Sequence, residues 1–145
     1  FNGKLSSPKS IALSCLEDLS RNSDDEIRYF SGTINYTTYI DAKSTEGRVV
    51  LDLGRVECMA KVYLNDVYVG GVWCEPFKID ITDKLHKGHN DLRVEVVNKW
   101  VNRIVGDMQL PAEERKISLT ANPYNAKSAI PASGLIGPVK VEYYE

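Results

Sequence analysis

Short runs in which apolar and polar residues alternate follow one another along most of the chain. Ranges 48–53, 56–64 and 92–96 place an apolar side chain at every second position, as in strands with one face on a core. The range 27–40 is rich in aromatic and β-branched residues and predicts a long strand, with a bulge at Gly32. Many short strands without a long helical pattern predict an all-β fold, an antiparallel β-sandwich or jelly roll.

Turn residues divide these runs. Asn65-Asp66 stands between two alternating runs and predicts a two-residue hairpin, because both residue types tolerate positive φ angles. In the return strand, Gly70-Gly71 predicts a bulge or a close approach of another group to the backbone. Further along, Thr82 or Asp83 is expected to cap one helical turn. The remaining predictions are a strand followed by a helical turn within 1–22, a solvated loop at 22–26, a return strand at 67–73, a strand at 77–81, a short strand at 117–119 and a last strand at 139–143.

Length and charge narrow the class of protein. The 145 residues, 43% of them hydrophobic and 26% charged, predict one domain over 1–145. A net charge of -2, from 18 basic and 20 acidic side chains, argues against binding to nucleic acid or to an anionic membrane. No apolar run approaches the roughly 20 residues that span a bilayer. Because the sequence starts at Phe1, without a signal sequence, we expect it to be a piece of a longer protein.

The segment from Phe77 to Val96 carries the first resemblance. It reads Phe-x-x-Asp-Ile-Thr-Asp-x-Leu-x-x-Gly-x-Asn-x-Leu-x-Val-x-Val with x written for the other residues, and it follows a hairpin. In this it resembles the galactose-binding-like jelly roll that serves as the sugar-binding domain of family 2 glycoside hydrolases. The hairpin departs slightly, since Asp66 stands where Gly is commoner.

Three further pieces resemble a narrower group, the C-terminal sandwich of family 106 enzymes of the α-L-rhamnosidase type. They are the ranges 28–33, 98–107 and 133–139. The resemblance implies that catalysis belongs to a separate barrel domain of the parent chain. The expected function is therefore that of a non-catalytic carbohydrate-binding or accessory module, whose partners are an oligosaccharide or polysaccharide side chain and the catalytic domain. It also implies a periplasmic or extracellular location in a bacterium. A purely structural packing module without sugar affinity is the alternative.

Residues that could perform catalysis are not grouped in the sequence. The acidic clusters at 24–26 and 113–114 have no apolar surroundings of the kind that raises the pKa of a glycosidase acid, so we interpret them as solvated charges. His86 and His89 flank a polar turn and do not predict a metal site. The three cysteines lack metal-ligand spacing and read as small apolar side chains. No cofactor and no metal are expected.

Sugar binding requires aromatic faces and planar hydrogen-bonding groups, and one loop supplies both. The candidate carbohydrate-binding residues are Asn98, Trp100, Asn102, Arg103 and Asp107, with Trp73 as a further aromatic candidate. A structural interpretation competes for each. Trp100 would then plug the end of the sandwich, an Arg103–Asp107 ion pair would pin the loop, and Trp73 would make a core or interdomain contact.

Overall fold

The computed structural model describes residues 10–145, and strands dominate it. The strands are β1 Thr33–Ala42, β2 Arg48–Asp52, β3 Arg55–Glu57, β4 Met59–Leu64, β5 Val67–Val72, β6 Lys78–Asp80, β7 Gly88–Val97, β8 Gly134–Gly137 and β9 Lys140–Tyr144. The helices are α1 Asp25–Arg28 and α2 Val101–Asp107, with 3₁₀ turns at Leu19–Arg21, Thr82–Lys84 and Ala112–Glu114.

Two antiparallel sheets face each other across one core. The first has the strand order β1-β7-β4-β5, the second has the order β6-β2-β9, and a small third sheet pairs β3 with β8. Alternating side chains from both large sheets meet between them, and Leu51 of β2, Val62 of β4 and Val96 of β7 are all 0% exposed. The predicted antiparallel β-sandwich is confirmed.

The hairpin prediction is also confirmed. Asn65 and Asp66 have φ angles of 50° and 63°, as a turn with two positive φ angles requires. Of the two predicted bulges, the one at Gly32 is wrong, because β1 begins only after it, at Thr33. The other lies in the return strand as predicted. Pairing shifts so that Tyr63 faces Tyr68 while Val62 faces Gly70, which leaves the intervening residue unpaired.

The motif that carries the family 2 resemblance builds the end of the sandwich near this hairpin. Asn90 is completely buried and accepts hydrogen bonds from the His86 amide at 2.8 Å and the Asn65 side chain at 3.0 Å. Its own amide group donates to the carbonyls of His86 at 2.6 Å and Gly88 at 2.8 Å. Thr82 does not cap the following turn; its hydroxyl bonds Asp80 at 2.6 Å.

Several predicted boundaries are wrong. Residues 11–15 form no strand, although the helical turn predicted after them exists. Residues 25–28 form α1 instead of a loop and a strand start, because Asp24 caps the helix by accepting a hydrogen bond from the Glu26 amide at 2.9 Å. The strand predicted over 56–64 is broken at Cys58, whose φ of 156° separates β3 from β4.

Further along the chain, two elements of the fold have no counterpart among the predictions, and one prediction has no counterpart in the fold. Neither α2 nor β8 was anticipated, and residues 117–119 form no strand. The part of 1–22 that precedes residue 10 lies outside the described residues.

Candidate functional site

At one end of the sandwich, which we call the capped end, all four strands of the larger sheet begin or end. Here β1 and β4 begin, at Thr33 and Met59, and β5 and β7 end, at Val72 and Val97. The strands β3 and β8 and the helix α2 follow on from this end. All six candidate residues lie on segments that leave the sheet there.

Asn98 fastens the first of these segments. It is 3% exposed, and its side-chain oxygen accepts a hydrogen bond from the Gly134 amide at 3.0 Å. Its backbone amide donates to the carbonyl of Gly32 at 2.9 Å. Asn98 therefore joins three segments that meet at the capped end: the start of β1, the end of β7 and β8.

Asn102 and Asp107 lie on the buried side of α2. Asn102 is 1% exposed and donates to the carbonyl of Pro131 at 3.0 Å. Asp107 is 0% exposed, and its carboxylate accepts hydrogen bonds from the amides of Lys116, at 3.1 and 3.2 Å, and Ile117, at 3.0 Å. Both side chains hold the long segment that follows α2 against the helix.

The anticipated ion pair between Arg103 and Asp107 is not found among the ion pairs of residues 10–145. Asp107 uses both carboxylate oxygens on backbone amides. Arg103 lies four positions earlier on α2 and is half-buried. Arg103 therefore does not hold the loop in place through an ion pair with Asp107.

The two tryptophans, in contrast, face solvent. Trp73 is 76% exposed and Trp100 is 62% exposed, so Trp100 does not plug the sandwich. Trp73 follows the last residue of β5, and Trp100 lies three positions after the last residue of β7. These two strands flank β4 and are therefore about 10 Å apart. The sheet thus brings both indole-bearing segments to the same end.

An open cleft of about 480 Å³ adjoins the segment that carries Trp73. Glu75, Pro76 and Lys78 line it on one side, and Asp52 and Gly54 line it on the other. The Gly54 amide donates to Asp52 at 2.8 Å and lowers the pKa of that carboxyl. These residues were not predicted from the sequence. Asp52 ends one strand and Lys78 begins another, and such charged residues resemble ordinary solvated side chains until the pairing of the two strands brings them together.

Other chemistry is sparse in the described chain. No group of three or more His, Cys, Asp or Glu side chains within residues 10–145 is arranged to hold a metal ion. His89 contacts Asp91 at 2.9 Å and stacks on Tyr39 with ring centroids 5.2 Å apart. Among the helices of the same residues, none is both long and apolar enough to cross a membrane.

The sandwich and its motif define the class of this protein: a galactose-binding-like β-sandwich of the type found in glycoside hydrolases. The family described as glycosyl hydrolase 2 galactose-binding domain-like matches residues 12–127. The chain belongs to this family. It is not the catalytic domain of such enzymes.

Two relatives are much longer than this chain. A β-glucuronidase-named protein of Formosa agariphila is 34% identical over 87% of this chain. The structure of a rhamnosidase from Novosphingobium sp. PP1Y is 40% identical, covers 93% of this chain and superposes with a TM-score of 0.85. The chain spans 13% of the length of each relative. The sequence-based resemblance to rhamnosidase-type glycoside hydrolases is confirmed.

Proposed function

We propose that this chain is a non-catalytic accessory module of a glycoside hydrolase and contacts carbohydrate at its capped end. The observation that carries the proposal is the exposure of both tryptophans, 76% for Trp73 and 62% for Trp100, on segments that leave the same end of one sheet. Covering about 100 Å² of apolar ring surface contributes about 2.5 kcal/mol. Indole faces also stack well on the C–H faces of pyranose rings, so a saccharide is a suitable ligand for these exposed rings.

The six candidate residues divide into two groups under this proposal. Trp73, Trp100 and Arg103 reach solvent and would contact the sugar, whose hydroxyls the guanidinium can hydrogen-bond. Asn98, Asn102 and Asp107 are at most 3% exposed and would hold the loops in place rather than touch a ligand. Asn102 and Asp107 do so through the backbone of residues 116, 117 and 131.

The proposal extends to the parent protein. Relatives of which this chain covers 13%, named as a rhamnosidase and a β-glucuronidase, support a parent glycoside hydrolase whose catalytic domain is the module's partner in the same chain. A polysaccharide-degrading enzyme meets its substrate outside the cytoplasm, so we propose a periplasmic or extracellular location in a bacterium. These statements concern the parent chain.

Isothermal titration of the 145-residue chain with rhamnose-containing and galactose-containing oligosaccharides tests the binding role. We expect saturable binding that Trp100→Ala and Arg103→Ala each weaken about 10-fold, which corresponds to about 1.4 kcal/mol. Tyr143→Ala removes an aromatic ring of similar exposure, 47%, from the last strand and serves as the matched control. Equal affinities for the wild type and both capped-end variants would exclude this end as the site.

A packing module without sugar affinity is the second candidate, and one observation favours it. Met59 lies at the capped end and is 42% exposed, so apolar surface there is not limited to the rings. If no oligosaccharide binds, and Met59→Lys releases this module from contact with the remainder of the parent enzyme in limited proteolysis, the packing role replaces the binding role.

A further inference from the structure

The outer face of the four-stranded sheet, away from the core, carries an aromatic row. In the register of the sheet, Arg93 of β7 lies between Thr37 of β1 and Tyr63 of β4, and Tyr63 in turn faces Tyr68 of β5. The row therefore crosses the whole sheet. None of the candidate residues at the capped end belongs to it.

The hydroxyl of Tyr68 lies next to Gly71, a residue of the same strand that has no side chain. A Cβ atom on Gly71 would lie 3.3 Å from the Tyr68 hydroxyl and 4.0 Å from Cγ of Lys61. Tyr68 is 55% exposed, and the neighbouring ring of Tyr63 supports it with centroids 5.5 Å apart and planes tilted by 59°. The result is an exposed aromatic surface laid over the sheet, with the stem of a lysine beside its hydroxyl.

Two cations and one carboxylate flank this ring, and only one of the cations is neutralised. The Arg93 guanidinium lies 3.9 Å from the Tyr63 ring centroid and pairs with Glu95. Glu95 also accepts a hydrogen bond from the Tyr63 hydroxyl at 3.5 Å. Lys61 is exposed and takes part in none of the ion pairs found within residues 10–145. Lys61 also faces Glu95 in the register of β4 and β7, but Glu95 already pairs with Arg93. The two cations and one carboxylate therefore leave one positive charge next to Tyr68, on a chain whose net charge is -2.

We propose that this face binds an acidic pyranoside, with the C–H face of the sugar ring on Tyr68 and its carboxylate at the Lys61 ammonium. One exposed ring with a single uncompensated charge matches a monosaccharide in size. A stable protein interface would bury about 800 Å² on each partner around an apolar centre, whereas Arg93, Glu95 and Lys61 place charges beside the two tyrosine rings. The proposal rests on the proposed function only in that the ligand is carbohydrate, because it uses different residues.

Methyl β-D-glucuronide and methyl β-D-glucoside form a matched pair of probes, because they differ only at C6. We expect NMR titration of the 145-residue chain to show the glucuronide binding at least about 5-fold more tightly than the glucoside. The difference should shrink between 0.15 M and 1 M salt, where the screening length falls from about 8 to about 3 Å. Amide shifts should centre on Tyr68 and Lys61.

Variants assign the two contributions. Lys61→Met should remove the preference for the glucuronide and leave glucoside binding unchanged, and Tyr68→Ala should abolish binding of both probes. Tyr39→Ala is the control, since it removes a ring that is 64% exposed on the same face. It lies on β1, three strand spacings or about 14 Å from β5. Lys61 and Tyr68 are both exposed, and circular dichroism verifies that the variants fold.

The outcomes separate this site from the capped end. If Tyr68→Ala abolishes binding of the probes and Trp100→Ala does not, this site stands, and the capped-end role is left to the oligosaccharide titration. If Trp100→Ala abolishes binding of the probes and Tyr68→Ala does not, the probes bind at the capped end and this proposal is overturned. Equal affinity for the two probes, or a preference that Lys61→Met leaves unchanged, overturns the acidic ligand. If neither probe binds, this proposal is overturned, and the oligosaccharide titration decides the capped-end role independently.

Discussion

Replacing Asn90 by alanine tests whether one buried amide holds the hairpin end of the sandwich together. The Asn90 side chain is 0% exposed and makes hydrogen bonds to His86, Gly88 and Asn65 over distances of 2.6 to 3.0 Å. A net contribution of about 1 kcal/mol per bond gives about 4 kcal/mol for the set. Water reaches part of this end in the variant and offsets some of the loss, so we expect about 3 kcal/mol of destabilisation.

Urea unfolding followed by far-ultraviolet circular dichroism measures this loss. At about 2–4 °C per kcal/mol for a domain of this size, the melting temperature should fall by about 6–12 °C. Asn35→Ala, at an exposed position of β1, is the control and should change the free energy of unfolding by less than about 0.5 kcal/mol. Equal losses for Asn90→Ala and Asn35→Ala would refute the assignment.

A second variant at the same position adds a pH dependence. Asn90→Asp keeps two acceptors but turns a carboxylate towards the carbonyls of His86 and Gly88, which accepted from the amide. Burial and these carbonyls should raise the pKa of the new carboxyl in the folded state above about 3.9, its value in the unfolded chain. The folded state then binds more protons, so stability relative to wild type should fall as pH rises from about 4 through the raised pKa. A pH-independent difference contradicts the network.

Three further predictions concern other parts of the fold. In urea unfolding, Gly54→Ala should lower the free energy of unfolding by more than about 3 kcal/mol, and Gly88→Ala should lower it by about 1–2 kcal/mol. Both glycines have a positive φ, but of the two only Gly54 would place a Cβ atom against backbone, at 2.5 Å. Equal losses for the two variants would contradict this steric reason. Hydrogen bonds, first from Thr82, lower the pKa of Asp80 to about 2, so its stabilisation should be complete above about pH 4 and be lost as pH falls through about 2. Asp80→Asn should then remove that part of the acid dependence of unfolding, and an unchanged dependence would count against it. Asp107→Ala should speed hydrogen exchange of the Lys116 and Ile117 amides, which donate to its carboxylate, by about 10-fold or more. Unchanged exchange would show that other groups hold these two amides.

The strands that alternate strongly were predictable from sequence, because the period of two is a local property. The range 48–53 became β2, and 92–96 lies inside β7. The Asn65-Asp66 turn was equally local, since the two residue types themselves tolerate the φ angles that the turn uses. Together with the 77–96 motif, these features were enough to predict the fold class and the glycoside hydrolase association.

Elements held by distant contacts were not predictable in the same way. The helix α2 is short and carries buried polar residues, so its pattern resembles a loop. The strand β8 is fixed to the end of β7 by the hydrogen bond from the Gly134 amide to Asn98, 36 positions away. The start of the described chain is held by Asp18 through the Ser133 amide, 115 positions away. No window of sequence contains both halves of such contacts.

The candidate site shows the same division. The sequence by itself determined which residues of the 98–107 loop have the chemistry for sugar binding, because side-chain chemistry is a property of each residue. Only the tertiary structure decided that Asn102 and Asp107 face inwards while Trp100 faces solvent, because burial depends on which segments pack on α2. The pairing of the exposed Tyr68 ring with Tyr63 is a tertiary property for the same kind of reason, because the register between β4 and β5 brings the two rings together.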